Sequence, residues 1–185
     1  YMKLLLHICC APCSIMCIET LRGEGIEPVG FWDNPNIHPF TEFRMRRNTL
    51  VDYAKEIGLS LVVEGGYGLR PFLEAVGGDF DGRCPVCYRL RMRSAARYAA
   101  ENGFTHFTTT LLISPYQNHE LLAQTAREAA EEFGVSFLYR DFRPYFREGQ
   151  DRARAMGLYM QKYCGCIFSE EDRYRKRKKP PKKEE

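Results

Sequence analysis

The sequence predicts one α/β domain, with a mostly parallel five-stranded sheet of the Rossmann type and helices on both faces. Two observations carry this prediction. Short apolar segments alternate with longer segments of helical periodicity, which is typical of a parallel sheet because each crossover between strands needs a connecting helix. The length of 185 residues suits a single hydrophobic core. The predicted strands cover residues 3–8, 27–32, 59–63, 106–111 and 135–139.

Turn and capping residues separate these elements. Gly23, Gly58, Gly103 and Gly134 follow segments of helical periodicity and are typical helix ends. The Ser-Pro-Tyr-Gln sequence at residues 114–117 has the form of a capping box and predicts the start of the fifth helix. Residues directly beyond the first strand, 9–14, are predicted to form a turn. The predicted helices cover residues 15–22, 41–57, 71–76, 85–102, 115–133 and 151–163.

The chain divides into a domain over residues 2–172 and a basic, flexible tail over residues 173–185. The tail contains eight Lys or Arg and two Glu, whereas the preceding residues contain nineteen basic and twenty-two acidic residues. A basic segment of this kind attracts a polyanion through the release of counterions. A terminus that only improves solubility has the same composition, so charge alone leaves both interpretations open.

The sequence has no apolar segment that approaches the ~20 residues needed to cross a membrane. It also begins without the pattern of a secretory signal. We therefore expect a cytoplasmic protein that binds no membrane. In a reducing compartment, its eight cysteines favour metal binding or redox chemistry over disulfides.

Seven of the eight cysteines occur in three short clusters. They are Cys9, Cys10 and Cys13; Cys84 and Cys87; and Cys164 and Cys166. A structural zinc ion or a four-iron cluster needs four thiolates, so either leaves about three sulfurs over. The surplus predicts two metal centres, or one centre and a reactive pair. The Cys-x-x-Cys spacing alone does not separate zinc, iron–sulfur and redox sites. Cys17, on the first helix, is predicted to be a buried core thiol.

A row of arginines follows the second cysteine cluster. Arg89, Arg93 and Arg97 are four residues apart and therefore share one face of the predicted fourth helix. With Arg83 and Tyr88, this face could contact the phosphates and a base of RNA. A solvated helix face is the alternative. The nucleotide-binding sequences GxxxxGK[ST] and GxGxxG are absent from the chain.

Six motifs occur in order along the chain. They are His7-x-Cys9-Cys10-Ala11-Pro12-Cys13-Ser14, Asn34-Pro35-Asn36-Ile37-His38-Pro39, Arg83-Cys84-x-x-Cys87, Thr108-Thr109-Thr110-Leu111-Leu112-Ile113-Ser114-Pro115, Asp141-Phe142-Arg143 and Leu158-Tyr159-x-Gln161-x-Tyr163-Cys164-Gly165-Cys166. This series resembles the QueH-type, cobalamin-independent epoxyqueuosine reductases. The similarity extends from Leu4 to about Ser169 and leaves out the basic tail.

The resemblance implies the last step of queuosine synthesis in the anticodon loop of tRNA. In that step two electrons and two protons remove the epoxide oxygen from a cyclopentane ring, leaving an alkene and water. The resemblance also implies the fold of nucleotide α-hydrolases and ATP-pyrophosphatases, a [4Fe-4S] cluster, an additional mononuclear iron, and no cobalamin. The seven clustered cysteines are then the expected metal ligands. The expected partners are tRNA carrying epoxyqueuosine and an electron donor protein that the sequence does not identify.

The first cysteine cluster stands where that fold group carries a Ser-Gly-Gly-x-Asp-Ser phosphate loop. Residues 9–14 lack its glycines, and Cys13 replaces its aspartate. We therefore expect no ATP, which argues against an ATP-dependent tRNA-thiolating enzyme of the same fold. A zinc-stabilised RNA-binding module without catalysis is the second alternative. In the reductase, iron would act as a Lewis acid on the epoxide oxygen, and the candidate proton donors are Asp141, His7 and Tyr116.

Overall fold

The structure, a computed structural model, describes residues 1–175 and is built around a five-stranded sheet. Every pair of neighbouring strands is parallel, and the strand order is β3-β2-β1-β4-β5. This arrangement confirms the predicted α/β fold. The strands are β1 (Leu4–His7), β2 (Val29–Trp32), β3 (Leu61–Val63), β4 (His106–Thr109) and β5 (Ser136–Phe137).

The helices form two layers around this sheet. Crossovers between parallel strands are right-handed, so a chain that runs outward from β1 to β3 and then returns to β4 places its helices on opposite faces. The packing agrees, since α1 contacts α2 and α6 while α4 contacts α5. The helices are α1 (Ala11–Gly23), α2 (Phe40–Glu56), α3 (Leu69–Val76), α4 (Arg83–Glu101), α5 (His119–Phe133), α6 (Phe146–Ala155) and α7 (Ile167–Tyr174).

Strand β1 is the centre of the core. All four of its residues are buried, and it pairs with β2 on one side and with β4 on the other. From β1 the chain first adds β2 and β3 on one side and then adds β4 and β5 on the other side, so the order of the strands reverses between β1 and β4. In open parallel sheets the crevice beyond the carboxyl ends of the strands at such a reversal is the usual ligand site. The first cysteine cluster follows β1 directly and therefore lies at this crevice.

Helix α1 begins earlier than predicted. Residues 9–14 were expected to be a turn, but the helix starts at Ala11, with Cys10 as its N-cap residue. Pro12 explains the difference, because proline suits the first helical turn, where its missing N–H group needs no partner. The early start places Cys13 on the first turn of a regular helix.

The start of one helix and the end of one strand also differ from the predictions. The capping-box prediction at residues 114–117 was wrong: α5 starts at His119, and the side-chain oxygen of Asn118 accepts a hydrogen bond from the Leu121 N–H at 3.2 Å. Strand β4 ends at Thr109, whose hydroxyl accepts from the Leu111 N–H and starts a short 3-10 helix over Thr110–Ile113.

The last part of the chain was predicted least well. One helix was expected over residues 151–163, but α6 covers Phe146–Ala155 and is followed by Gly157 at a φ of +71°, which favours glycine. Helix α7 was not predicted, and it continues through Arg173 and Tyr174, past the expected domain boundary. Residues 176–185 of the expected tail lie outside the described residues. No helix in the described part of the chain is long and apolar enough to cross a membrane.

Candidate metal and substrate site

Three thiols converge immediately beyond β1. The sulfur atoms of Cys9, Cys10 and Cys13 all lie within 4.8 Å of one another, so the three could hold one metal ion. Cys10 and Cys13 are buried, and Cys9 is half-buried. Thr110, at the end of the neighbouring strand β4, accepts a hydrogen bond from the Cys9 N–H at 3.1 Å, and its hydroxyl lies 3.2 Å from the Cys9 sulfur. We refer to Cys9, Cys10 and Cys13 as the three-thiol group.

The members of the three-thiol group differ in acidity. Hydrogen bonds from Cys10 and then from Cys13 hold the pKa of the Cys9 thiol well below its ordinary value. Burial raises the pKa of Cys10 well above the ordinary value. Cys9 is therefore the most acidic thiol of the group and the one that most readily becomes the thiolate that binds a metal cation.

Four further thiols meet at a second position, and we refer to them as the four-thiol group. Cys84 and Cys87 lie in the first turns of α4, while Cys164 and Cys166 flank Gly165 just before α7. The two pairs are close enough to interact, because the charges of Cys164 and Cys166 contribute to raising the pKa of both Cys84 and Cys87. Burial is the largest cause in each case, and it takes the pKa of Cys87 to about 12.

The two groups differ in width. Four sulfurs bound to one zinc ion at about 2.3 Å would all lie within about 4.6 Å of each other. Among residues 1–175 no three members of the four-thiol group come within 4.8 Å of one another. A four-iron cluster spreads its thiolates more widely, because each iron binds its own cysteine. The sulfurs of the four-thiol group are therefore spaced too widely in this structure to bind one zinc ion together.

A buried arginine holds the second half of the four-thiol group in place. Arg46, on α2, donates hydrogen bonds to the backbone oxygens of Tyr163 and Cys164, both at 2.9 Å. It also pairs with Glu42 at 2.8 Å. A Cβ atom on Gly165 would approach Arg46 Nη1 to 3.3 Å, so glycine allows this close packing. Arg46 was not predicted from the sequence, because the pattern of residues along α2 gives no sign of a contact with a loop more than a hundred residues away.

The Asn34–Pro39 motif supports the same region. The His38 N–H donates to the Gly165 oxygen at 2.8 Å, and His38 Nδ1 accepts from the Ile167 N–H at 3.0 Å. The hydroxyl of Tyr163 donates to the His38 oxygen at 2.5 Å. This motif therefore connects the end of β2 to the Cys164–Cys166 loop and is more than a local turn.

A cavity of about 910 Å³ opens between the two thiol groups. Cys9, Cys13 and Cys164 contribute to its wall, so both groups face the same space. A volume of this size suits a small molecule or one nucleotide. Its other polar wall residues include Arg46, Arg91, Ser114, Tyr116, Gln117, Arg147, Gln150, Asp151, Arg154, Gln161, Lys162 and Arg173.

The three predicted proton donors have different surroundings in the structure. Tyr116 lines the cavity and is 85% exposed. Asp141 is not among the cavity residues, and its carboxylate pairs with Arg143 at 2.8 Å, which lowers the pKa of Asp141 to about 2. His7, the last residue of β1, is fully buried, and burial, followed by the charge of Arg91, lowers its pKa to about 4.

Both ring nitrogens of His7 contact polar side chains from neighbouring elements. Its Nδ1 atom lies 2.9 Å from the Thr109 hydroxyl, and its Nε2 atom lies 3.1 Å from Asn34 Oδ1. Both ring nitrogens are thus occupied by neighbouring strand ends. These contacts make His7 an interior side chain that links β1 to β4 and to the segment after β2.

The predicted RNA-binding arginines do not reach the cavity. Arg93 pairs with Glu132 at 2.6 Å, and Arg97 lines a separate, smaller cavity beside Asp33. Arg83 pairs with Asp172 at 2.7 Å, and Arg89 is exposed on α4. These four residues therefore stay a prediction for contacts outside the cavity.

A different set of cations surrounds the cavity. Arg147 and Arg154 come from α6, Lys162 from the following loop, and Arg173 from α7. Arg147 and Arg154 are seven residues apart, which places them on one helical face. This shared face was not predicted from the sequence, because the predicted helix began only at residue 151 and left out Arg147.

The fold and the two cysteine groups can now be compared with known proteins. A family model described as "Epoxyqueuosine reductase QueH" matches residues 4–172. A protein of that name from Dehalococcoides mccartyi is 36% identical over 178 residues, covering 96% of this chain and 98% of that protein. A namesake from Thermotoga maritima is 33% identical over 175 residues, covering 89% of this chain and 88% of that protein. The chain belongs to the QueH family, as the motifs predicted.

One solved structure supports the fold. The crystal structure described as a predicted subunit of tRNA methyltransferase from Methanocaldococcus jannaschii matches with a TM-score of 0.50 at 10% identity. The match covers 83% of this chain and 88% of that chain. At this level of identity the similarity concerns the fold alone, and it agrees with the α/β architecture described above.

Proposed function

We propose that this chain is an iron-dependent epoxyqueuosine reductase that acts on tRNA. One observation carries the proposal beyond the family name: two separate thiol groups face a single cavity that is rich in basic residues. The thiols can hold redox-active metal, and the cations suit a phosphate-bearing substrate. In the proposed reaction, two electrons and two protons convert an epoxide into an alkene, and the oxygen leaves as water.

The donor atoms fit the proposed metals. The four-thiol group supplies one thiolate for each iron of a [4Fe-4S] cluster, at a spacing too wide for one zinc ion. The three-thiol group is compact enough for one further iron and leaves a coordination position free for another ligand. When bound, these irons would supply electrons one at a time and a Lewis-acidic position.

The residues of the chain itself would bind and orient the nucleotide. Arg147, Arg154 and Lys162 line the cavity and would attract the phosphates of a single-stranded loop. Gln161 lies in the cavity wall, and its side-chain oxygen is buried with no partner among the described residues. A buried acceptor without a partner costs free energy, so a donor on the modified base would be bound favourably there.

Tyr116 is the proton donor that we propose. Its side chain lines the cavity, whereas Asp141 is ionised at neutral pH because its pKa is about 2. Tyr116→Phe should lower turnover and leave the iron content unchanged, whereas Asp141→Asn should leave both unchanged. Equal loss of turnover in both variants would contradict this assignment, and so would normal turnover in Tyr116→Phe.

The proposed function is tested by metal analysis and an assay of the same sample. The protein is purified without oxygen, its iron, sulfide and zinc are measured, and it is supplied with a chemical reductant and tRNA carrying epoxyqueuosine. Mass spectrometry of the released nucleosides should show a product lighter by one oxygen atom. Zinc without iron would favour an RNA-binding module, and full iron loading without any product would exclude the proposed reaction.

ATP and cobalamin have no part in this proposal. The loop that holds phosphate in ATP-dependent relatives of the fold is here the three-thiol group, and its residues have no glycine. The physiological electron donor would be a protein that carries single electrons, since the cluster accepts them one at a time. Addition of ATP to the assay should therefore leave turnover unchanged.

A further inference from the structure

Arg91 is a buried cation that has no carboxylate partner in the part of the chain that the structure describes. Its residue is 3% exposed, and among residues 1–175 no Asp or Glu oxygen lies within 4.0 Å of its guanidinium. Its Nε atom is buried and has no hydrogen-bond partner within that range. Arg46, the other buried arginine of this region, pairs with Glu42. A buried charge without a counter-charge is strongly destabilising, so Arg91 needs a negative partner from elsewhere.

The atoms around Arg91 indicate what that partner is. Its Nη2 atom donates to the Cys87 sulfur at 3.1 Å. Arg91 also shares the cavity wall with Cys9 and Cys164, which belong to the two different thiol groups. Asp151 of the same wall pairs with Arg154 at 3.3 Å, so the negative groups that face Arg91 are the cysteine sulfurs of both groups.

We propose that Arg91 is a positioning residue whose charge balances the thiolate-bound metal and raises its reduction potential. This inference rests on the proposed iron-dependent function. Each added electron makes the metal group more negative, so a fixed cation beside a ligand sulfur stabilises the reduced form more than the oxidised form. The effect is strong because both partners are shielded from water, and neighbouring charge is a known determinant of cluster potentials.

The test is a redox titration followed by electron paramagnetic resonance, with three variants. Arg91→Met removes the charge, and we expect at least a tenfold shift of the equilibrium towards the oxidised form, equivalent to about 59 mV lower potential for one electron. Arg91→Lys keeps the charge and should lie closer to the wild type. Arg93→Gln is the matched control on the same helix, since Arg93 is exposed and pairs with Glu132, and its potential should not change.

Stability without metal supplies a second readout. If Arg91 mainly serves the metal, the metal-free Arg91→Met protein should be at least as stable as the metal-free wild type, because an unpaired buried charge has been removed. If Arg91 instead holds the protein together, that variant should be less stable or fail to fold, which would overturn the inference.

The outcomes separate this inference from the proposed function. A wild-type protein that binds no iron would overturn both. An iron-loaded, active wild type whose potential is the same in Arg91→Met would overturn the role of Arg91 alone. A lower potential in Arg91→Met, with recovery in Arg91→Lys, supports the inference.

Discussion

The three-thiol group and the four-thiol group face the same cavity but are built in different ways. The first comes from five consecutive residues, 9–13, at the end of the central strand, and it is largely buried. The second combines two segments about eighty residues apart, and two of its members, Cys84 and Cys164, are exposed. The comparison indicates that the three-thiol group is formed by the local fold, whereas the four-thiol group depends on tertiary contacts.

The two thiol groups differ in the contacts that hold their cysteines in place. The β1 to α1 connection brings Cys9, Cys10 and Cys13 together, and among the described residues Thr110 is the hydrogen-bond partner that another element supplies to this group. The four-thiol group closes only when the Cys164–Cys166 loop is held by Arg46 and His38. Its exposed members would also give an electron donor access to the metal, whereas the members of the three-thiol group are buried or half-buried, and Cys9 and Cys13 face the cavity.

The largest expected effect comes from removing a member of the four-thiol group. Cys87→Ser should lose about four irons per chain together with the visible absorbance, because a four-iron cluster needs four protein ligands. The iron of the three-thiol group should remain, since Cys87 does not belong to it. Iron and sulfide analysis of reconstituted protein, with absorbance spectra, measures both effects.

Cys17→Ser is the matched control for that experiment. Cys17 is fully buried and its thiol donates to the Cys13 oxygen at 3.4 Å, as expected of a core thiol, and a serine hydroxyl can make the same contact. This variant should keep its iron and its absorbance. Loss of the cluster in Cys17→Ser, or full iron content in Cys87→Ser, would show that the division of the thiols is wrong.

A smaller effect is expected when the support of the four-thiol group is removed. Arg46→Met leaves Glu42 without its buried partner and frees the Tyr163 and Cys164 oxygens. Breaking a buried pair in this way costs about 3–5 kcal/mol. We therefore expect lower stability in urea unfolding and faster loss of cluster iron to a chelator, with the three-thiol iron lost no faster.

The neighbouring residue provides the control. Arg47 is more exposed than Arg46, and its guanidinium contacts Asn48 and the ring of Phe43. Arg47→Met should change stability and iron loss much less than Arg46→Met. If the two variants behave alike, the four-thiol group does not depend on the Arg46 contacts and the contrast between the two groups is weaker than the structure indicates.

The sequence was informative wherever the signal was local. The periodicity of the apolar residues gave the strands and their alternation with helices, and it also gave Cys17 as a core residue, which the structure shows fully buried. The spacing of Cys9, Cys10 and Cys13 predicted a group of thiols, which the structure brings within 4.8 Å of one another, close enough to hold a metal ion. These features depend on neighbours in the chain, so periodicity and spacing are sufficient to predict them.

The sequence was least informative where distant segments meet. Arg46 and Arg91 are buried among polar groups that come from other elements, and an arginine in a helix gives no sign of such burial in its own segment. The basic residues of the cavity come from α6, the following loop and α7, and the boundaries of these elements were predicted incorrectly. Gly157 and the short length of both helices weakened the periodic signal there.

The smallest expected effect concerns the hydrogen bond between Cys9 and Thr110. Thr110 accepts the Cys9 N–H and lies beside the Cys9 sulfur, and the threonine itself is buried. Thr110→Val keeps the shape but leaves that N–H without a partner, which should cost about 1–3 kcal/mol in urea unfolding of the metal-free protein. The four-thiol group should keep its iron, because Thr110 contacts none of its members.

Thr108→Val is the control that makes this measurement specific. Thr108 lies two residues earlier, on β4, and its hydroxyl is buried without a partner among the described residues. Replacing that hydroxyl by a methyl group removes an unsatisfied polar atom, so stability should stay the same or rise. If Thr110→Val is no less stable than Thr108→Val, the three-thiol group is positioned entirely by the β1 to α1 connection. A loss in Thr110→Val alone would show that the segment after β4 fixes the Cys9 backbone, so that even the more local of the two thiol groups depends on a contact from a neighbouring element.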